Sequence, residues 1–251
     1  MNLEEKTKKT KSFSHIYLLH YVKLVFRSVL FIMVLVYYIL DKVDVLKKMA
    51  FIPIFVWIVL VAEMIIRFFP SRFETMGCQK QFARNYEPIG ENAVPINQSW
   101  KRTALVAAVW LGLNAVIGAL YFAGIFDAGL LFLIAIGFSV CDIICILFFC
   151  PFQTWFMKNR CCTTCRIYNW DFAMMFTPLV FIPRVYNYTL LGFALILLIR
   201  WEITFHRHPE RFSTVTNKCV DCSRCEEKLC HHKKQLRGFL KKYRTRFFGT
   251  K

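Results

Sequence analysis

Between Tyr17 and Phe205 the chain runs in long apolar blocks, most of them close to the ~20 residues that a helix needs to cross a bilayer, with charged residues gathered between them. This pattern constrains the fold more than any motif does. A helix that is apolar on all sides is unstable at the surface of a soluble domain and belongs in lipid or inside a bundle. A composition of 57% hydrophobic residues, with 26 Phe, agrees. The sequence reads as an all-α polytopic membrane protein with about five transmembrane helices plus a short re-entrant or broken apolar segment. Cys-rich cytoplasmic loops and a basic C-terminal tail complete it.

Residues 1–14 form a basic N-terminal arm, and residues 15–205 hold the transmembrane bundle. Spans are expected at about 17–40, 49–69, 103–126, 128–149 and 189–205. Lys23 and Arg27 lie four apart on one face of the first span and are expected to snorkel toward its N-terminal side. Gly112, Gly118 and Ala119 would let the third span pack closely against a neighbour.

The region 172–205 has two readings. Residues 172–182 are apolar but too short to span alone, and Pro178 and Pro183 interrupt them. A single crossing of the whole region would leave the basic tail outside. A broken or re-entrant first segment followed by a full helix returns the tail to the cytoplasm, as the positive-inside rule favours. Residues 206–232 then form a Cys-rich metal-binding segment and 233–251 a basic amphipathic tail, in which Leu236, Phe239, Leu240, Tyr243 and Phe247 alternate with Lys and Arg.

The net charge of +17 sits in the loops and tails. It points to a multi-pass cell-membrane protein with both termini and the Cys-rich loops cytoplasmic, and with anionic lipid as a partner of the basic tail. No nucleic-acid-binding motif accompanies the charge, so no nucleic-acid partner is expected. The N-terminus is basic, but the apolar segment after it lacks a small-residue cleavage site and reads as a span rather than a secretory signal.

The 11 Cys are clustered rather than spread as a disulfide framework, which favours a reducing compartment and metal or redox chemistry. Cys219, Cys222, Cys225 and Cys230 follow the spacing C-x2-C-x2-C-x4-C, with His231 and His232 directly after. Four thiolates satisfy tetrahedral zinc or a [4Fe–4S] cluster. The C-x2-C-x2-C opening resembles the cysteine run of bacterial ferredoxins over about a dozen residues, and that resemblance implies an iron–sulfur cluster. Ferredoxins continue with x3 and Cys-Pro, whereas this chain has x4 and Cys230-His231, so Cys230 is the ligand the resemblance supports least.

Cys161, Cys162 and Cys165 form a second cluster flanked by Arg160 and Arg166, which would favour thiolates. Its C-x2-C pair can chelate a metal or act as a redox dithiol, and Cys78 and Cys150 could complete a four-thiol set if the loops meet. The metal candidates are therefore Cys78, Cys161, Cys162, Cys165, Cys219, Cys222, Cys225 and Cys230. Cys141 and Cys145 share a face of the fourth span and read as packing residues.

Glu63 and Asp142 are carboxylates inside apolar spans, expensive there unless paired or functional. Arg67, Arg184 or Arg200 could pair with them, and the functional alternative makes them candidates for a proton path to a quinone or substrate site. His20 and His206 are conceivable haem ligands but read better as interfacial residues. No Walker loop, zincin motif, nucleophile elbow or dinucleotide fingerprint is present, so several common hydrolase and nucleotide-driven classes lack positive support.

The expected function is a membrane redox protein. Its metal, iron–sulfur rather than zinc, relays electrons between a soluble cytoplasmic partner and a membrane acceptor such as quinone. The alternatives are a zinc-stapled scaffold or transporter, and a thiol–disulfide oxidoreductase using Cys162 and Cys165.

Overall fold

The structure is a computed structural model and describes residues 15–40, 51–71, 74–90, 93–96, 99–159, 161, 163–221 and 225. The helices among them are α1 (His15–Leu40), α2 (Phe51–Arg67), α3 (Met76–Gln79), α4 (Trp100–Phe122), α5 (Ala128–Leu147), α6 (Asp171–Phe176) and α7 (Val185–Arg207). No strand occurs among the described residues. α1 from Leu18 onward, α4, α5 and α7 are each long and apolar enough to cross a membrane. α2 is as uninterrupted in its apolar sequence but spans only 17 described residues.

Two helix starts differ from the sequence reading. α4 begins at Trp100, because Lys101 and Arg102 continue its first turn rather than preceding it. α7 begins at Val185 rather than Thr189, with the polar run Tyr186-Asn187-Tyr188 inside its first turns. Asn187 accounts for part of this: it is buried, and its amide donates to the Ile182 carbonyl at 3.1 Å.

α4 and α5 form a tight hairpin closed by backbone geometry. Gly124 adopts φ +73, a conformation that side chains resist, and its N–H donates to the Tyr121 carbonyl. The Ile125 N–H reaches the Leu120 carbonyl at 3.0 Å, completing the glycine-ended helix cap. Asp127 then caps α5, accepting the Leu130 N–H at 2.6 Å.

α5 is the central helix. Half of its span is buried within the protein, against 17–22% for the spans of α1, α4 and α7. It lies along α1 and shares a core with α2, α6 and α7 that includes Val34, Met64, Leu131, Phe172, Phe176 and Leu197. The outer helices present continuous apolar faces, such as Val22, Val25, Val29, Ile32 and Val36 on α1 and Ile196, Ile199 and Ile203 on α7. Apolar surface on that scale is stable against lipid and not against water.

The segment 171–182 is broken where its prolines require. α6 gives way to a 3-10 turn, Thr177–Phe181, with Pro178 in its first turn, and Pro183 separates it from α7. At helical rises the two pieces extend roughly 19 Å. They run from Arg67, at the end of α2, to Gly118 and Phe122, near the end of α4. A Cβ on Gly118 would come within 2.4 Å of the Phe181 ring, so close approach is used here, whereas Gly112 has nothing within 4 Å.

α7 then runs back beside this segment. Trp57 of α2 donates to Thr189 near the α7 start at 2.9 Å, and Trp201 near its end donates to the Arg166 carbonyl at 2.6 Å. The segment and α7 are therefore an antiparallel hairpin, and its two ends meet. At that same end lie the start of α1, the end of α2, α3 and the start of α4.

Candidate functional site

Three features share this end of the bundle: a buried charge network, a platform of docked loops, and a cavity between them.

The network joins α1, α2, α5 and α6. Arg27 Nη2 meets Glu63 Oε2 at 2.6 Å, while its Nη1 meets Asp142 Oδ2 at 3.4 Å and donates to the Ser139 carbonyl at 2.9 Å. Lys23 Nζ lies 3.4 Å from Glu63 and 3.5 Å from Glu74. Arg67 pairs with Asp171 at 2.5 Å and Glu74 at 3.6 Å, donates to Asn169 at 3.2 Å, and covers the Phe172 ring at 4.4 Å. His20 is buried beside them.

Lys23 and Arg27 thus share a face as their spacing requires, but that face points inward rather than snorkelling outward. Arg67 was expected to serve Glu63 or Asp142 and instead holds Asp171 and Glu74. Arg200 donates to the Phe68 carbonyl at 2.7 Å. The network contains three cations and four carboxylates, one carboxylate in excess.

The platform is the segment 74–90, on which two other loops dock. Lys80 is fully buried; its Nζ donates to the carbonyls of Thr163 and Cys165 at 2.7 and 2.9 Å and sits 5.2 Å from the ring centroids of Trp201 and Phe212. Thr75 donates to the Tyr168 hydroxyl at 2.8 Å, and a Cβ on Gly77 would strike the Tyr168 ring at 2.7 Å. Arg166 is buried against Glu202, which also accepts the Trp170 indole N–H at 2.9 Å. Burial pushes the Arg166 guanidinium pKa down, and Glu202 partly offsets this.

On the other side, Asn217 is fully buried and fixes the start of the C-terminal cysteine run. Its Oδ1 accepts the N–H groups of Glu87 and Cys219 at 3.2 and 3.0 Å, and it forms an isolated antiparallel bridge with Pro88. The Lys218 N–H reaches the Glu87 carbonyl at 2.8 Å. The Thr163–Cys165 stretch and the start of the C-terminal cysteine run are therefore anchored on one platform.

The cavity, of about 340 Å³, falls within the size of small-ligand pockets. Trp110, Phe138, Met174 and Met175 give it apolar walls. The polar and thiol-bearing residues that line it are Asp142, Asp171, Gln153, Tyr168, Cys141, Cys145, Cys150 and Cys165. Asp142 and Asp171 thus belong both to the network and to the cavity wall. Cys165 belongs both to the wall and to a docked loop.

Glu63, by contrast, sits within the network and is absent from the cavity wall. Cys78 is buried in α3; its thiol lies 3.6 Å from Glu74 Oε2 and 3.7 Å from Thr75 Oγ1, and burial pushes its pKa up, against the pull of Arg67. Cys161, Cys219 and Cys225 are half-buried. Cys162, Cys222 and Cys230 lie outside the described residues, as do His231, His232 and the tail 233–251. Among the described residues no three His, Cys, Asp or Glu side chains are grouped to hold a metal.

Sequence reasoning missed Lys80, Asp171 and Asn217. Asp171 carried a usable signal, an acidic residue opening an apolar run immediately after Trp170. Lys80 and Asn217 look like ordinary loop residues until the chain folds. Comparison with protein-family models, curated proteins and solved structures finds no match to this chain.

Proposed function

We propose that the protein is a membrane-embedded redox protein that passes electrons from thiol-bound metal on the loop platform to a lipid-soluble quinone in the cavity. The observation that carries this reading is the position of Cys165. It belongs to the C-x2-C loop and lines the cavity together with Asp142 and Asp171. Donor thiols and an apolar acceptor site are thereby contiguous.

The metal ligands in this reading are Cys161, Cys162 and Cys165 with Cys219, Cys222, Cys225 and Cys230. The anchoring of both loops on the 74–90 platform supports their acting together. A thiolate-held iron–sulfur cluster supplies one-electron chemistry there, whereas zinc supplies a cross-link. Cys78, turned toward Glu74 and Thr75 and held protonated by burial, serves the platform rather than the metal.

Trp110, Phe138 and Met174 form an apolar slot suited to a quinone ring and tail. Reduction of a quinone consumes protons as well as electrons. Asp142 is placed to deliver one: it lines the cavity, and its ion pair to Arg27, at 3.4 Å, is longer than the Arg27–Glu63 contact. The network's excess carboxylate gives that proton a resting place.

Topologically, α1, α2, α4, α5 and α7 cross the membrane, and the α6 hairpin arm fills the bundle interior. The platform and both termini face the cytoplasm, supported by the basic charge of the loops at that end.

Anaerobic purification followed by iron, zinc and acid-labile sulfide analysis tests the metal, and an azidoquinone photolabel tests the cavity. Iron with sulfide, broad visible absorbance and label on the α4 and α5 walls are expected. Zinc without iron would replace the relay with a stapled scaffold. A metal-free protein with a reversible Cys162–Cys165 disulfide would replace it with a thiol–disulfide oxidoreductase.

A further inference from the structure

The thiols of Cys145 and Cys150 have no place in the metal set, yet both line the cavity. They are brought together by the way α5 ends. The N–H groups of Phe148 and Phe149 both donate to the Ile144 carbonyl, at 2.8 and 3.2 Å, which widens the last turn and folds the chain back. Pro151 stops the helix at this point and opens a new π-helical turn, Phe152–Phe156. Cys150 is thereby returned to within hydrogen-bond reach of Cys145, although five positions separate them.

The surroundings favour a thiolate at Cys150 rather than at Cys145. The Gln153 backbone N–H donates to Cys150 Sγ at 3.4 Å, which favours negative charge on that sulfur. Asp142 lies one helical turn before Cys145 and also lines the cavity, so a proton acceptor shares the compartment with the thiols. The rings of Trp110 and Phe138 and the side chains of Met174 and Met175 give the cavity apolar walls that suit a lipid-soluble oxidant.

We infer that Cys145 and Cys150 form a redox-active dithiol whose oxidant is a quinone bound in the cavity. In the reaction both S–H bonds break and one S–S bond forms. Two electrons reduce the quinone to the quinol, and the two thiol protons end on the quinol oxygens, one of them relayed by Asp142. The inference rests on the reading that the cavity holds a quinone and does not depend on the metal. It assigns a two-electron step to a wall of the bundle, separate from the one-electron chemistry of the loop platform.

The experiment uses the full-length chain in lipid nanodiscs, without oxygen, and a short-tailed quinone with every ring position substituted so that thiols cannot add to it. Remaining thiols are then alkylated and the peptide holding both residues is read by mass spectrometry. Cys145 and Cys150 should lose alkylation together, with about one quinol formed per chain as this stoichiometry requires. Cys145→Ser and Cys150→Ser should each leave the surviving thiol fully alkylated after quinone treatment.

An azidoquinone analogue is run in parallel. Labelling of the cavity with Cys145 and Cys150 alkylated as in the untreated protein would overturn the dithiol and leave the cavity reading standing. Absence of cavity labelling would overturn both.

Discussion

Replacing Arg27 by Met tests whether the charge network holds the bundle together. The Arg27 side chain is 5% exposed and makes three contacts, to Glu63, to Asp142 and to the Ser139 carbonyl. The loss is unequal. Glu63 keeps Lys23 at 3.4 Å, whereas Asp142 has no other cation within ion-pair distance among the described residues. Breaking a buried pair from one side costs about 3–5 kcal/mol, mostly from the charge left stranded. Arg27→Met should therefore destabilise by about that amount.

Adding Asp142→Asn removes the stranded charge and should recover about 1–3 kcal/mol, the coupling expected of groups in one network. Asp142→Asn alone should cost only about 1 kcal/mol, since Arg27 retains Glu63 and Ser139. The assay is reversible unfolding by dodecyl sulfate in mixed micelles, followed by far-ultraviolet circular dichroism. A double variant no more stable than Arg27→Met would refute the reasoning, because Asp142 would then not be the group left unpaired.

Lys80→Met should cost about 1.5–3 kcal/mol per charged hydrogen bond lost to Thr163 and Cys165 and raise hydrogen exchange across 161–167; unchanged exchange there would deny it the anchoring role. Gly118→Ala should cost about 1–3 kcal/mol by driving a methyl into the Phe181 ring, and Phe181→Leu should rescue it in the same unfolding assay. Burial keeps the Cys78 thiol protonated well above the ~8.5 at which an unfolded thiol titrates. The folded state then holds a proton that the unfolded chain releases, so stability should fall above that pH by up to about 1.4 kcal/mol per unit, and Cys78→Ala should flatten this slope. The same thiol should resist alkylation until the protein is denatured, which a pH series with quantitative mass spectrometry will check.

The helices were legible because each is encoded locally. Apolar length, the prolines at 178 and 183 and the glycine at 124 each act within a few residues of where they stand. The return of α7 was legible only through charge, since periodicity cannot tell a crossing from a hairpin. Pairing between helices was not legible. Sequence spacing put Lys23 and Arg27 on one face, but whether that face meets lipid or Glu63 depends on how helices pack, with Arg27 and Asp142 lying 115 positions apart. Cys145 and Cys150 were hidden differently. Five positions apart on a regular helix they would point to different sides, and only the widened turn at Ile144 joins them.

The hairpin of α6 and α7 also has a consequence for how the chain enters the membrane. An arm of roughly 19 Å is shorter than the ~30 Å hydrocarbon layer and begins with an acidic residue, so it cannot hold a transmembrane position during synthesis. Its stability there depends on Arg67 of α2, already in place, and on α7, which has yet to be made. Arg166 and Glu202 clasp the two ends only once the ribosome has passed the end of α7. The α6 arm is therefore fixed late, although every residue that lines the cavity, from Trp110 to Met175, is made before α7.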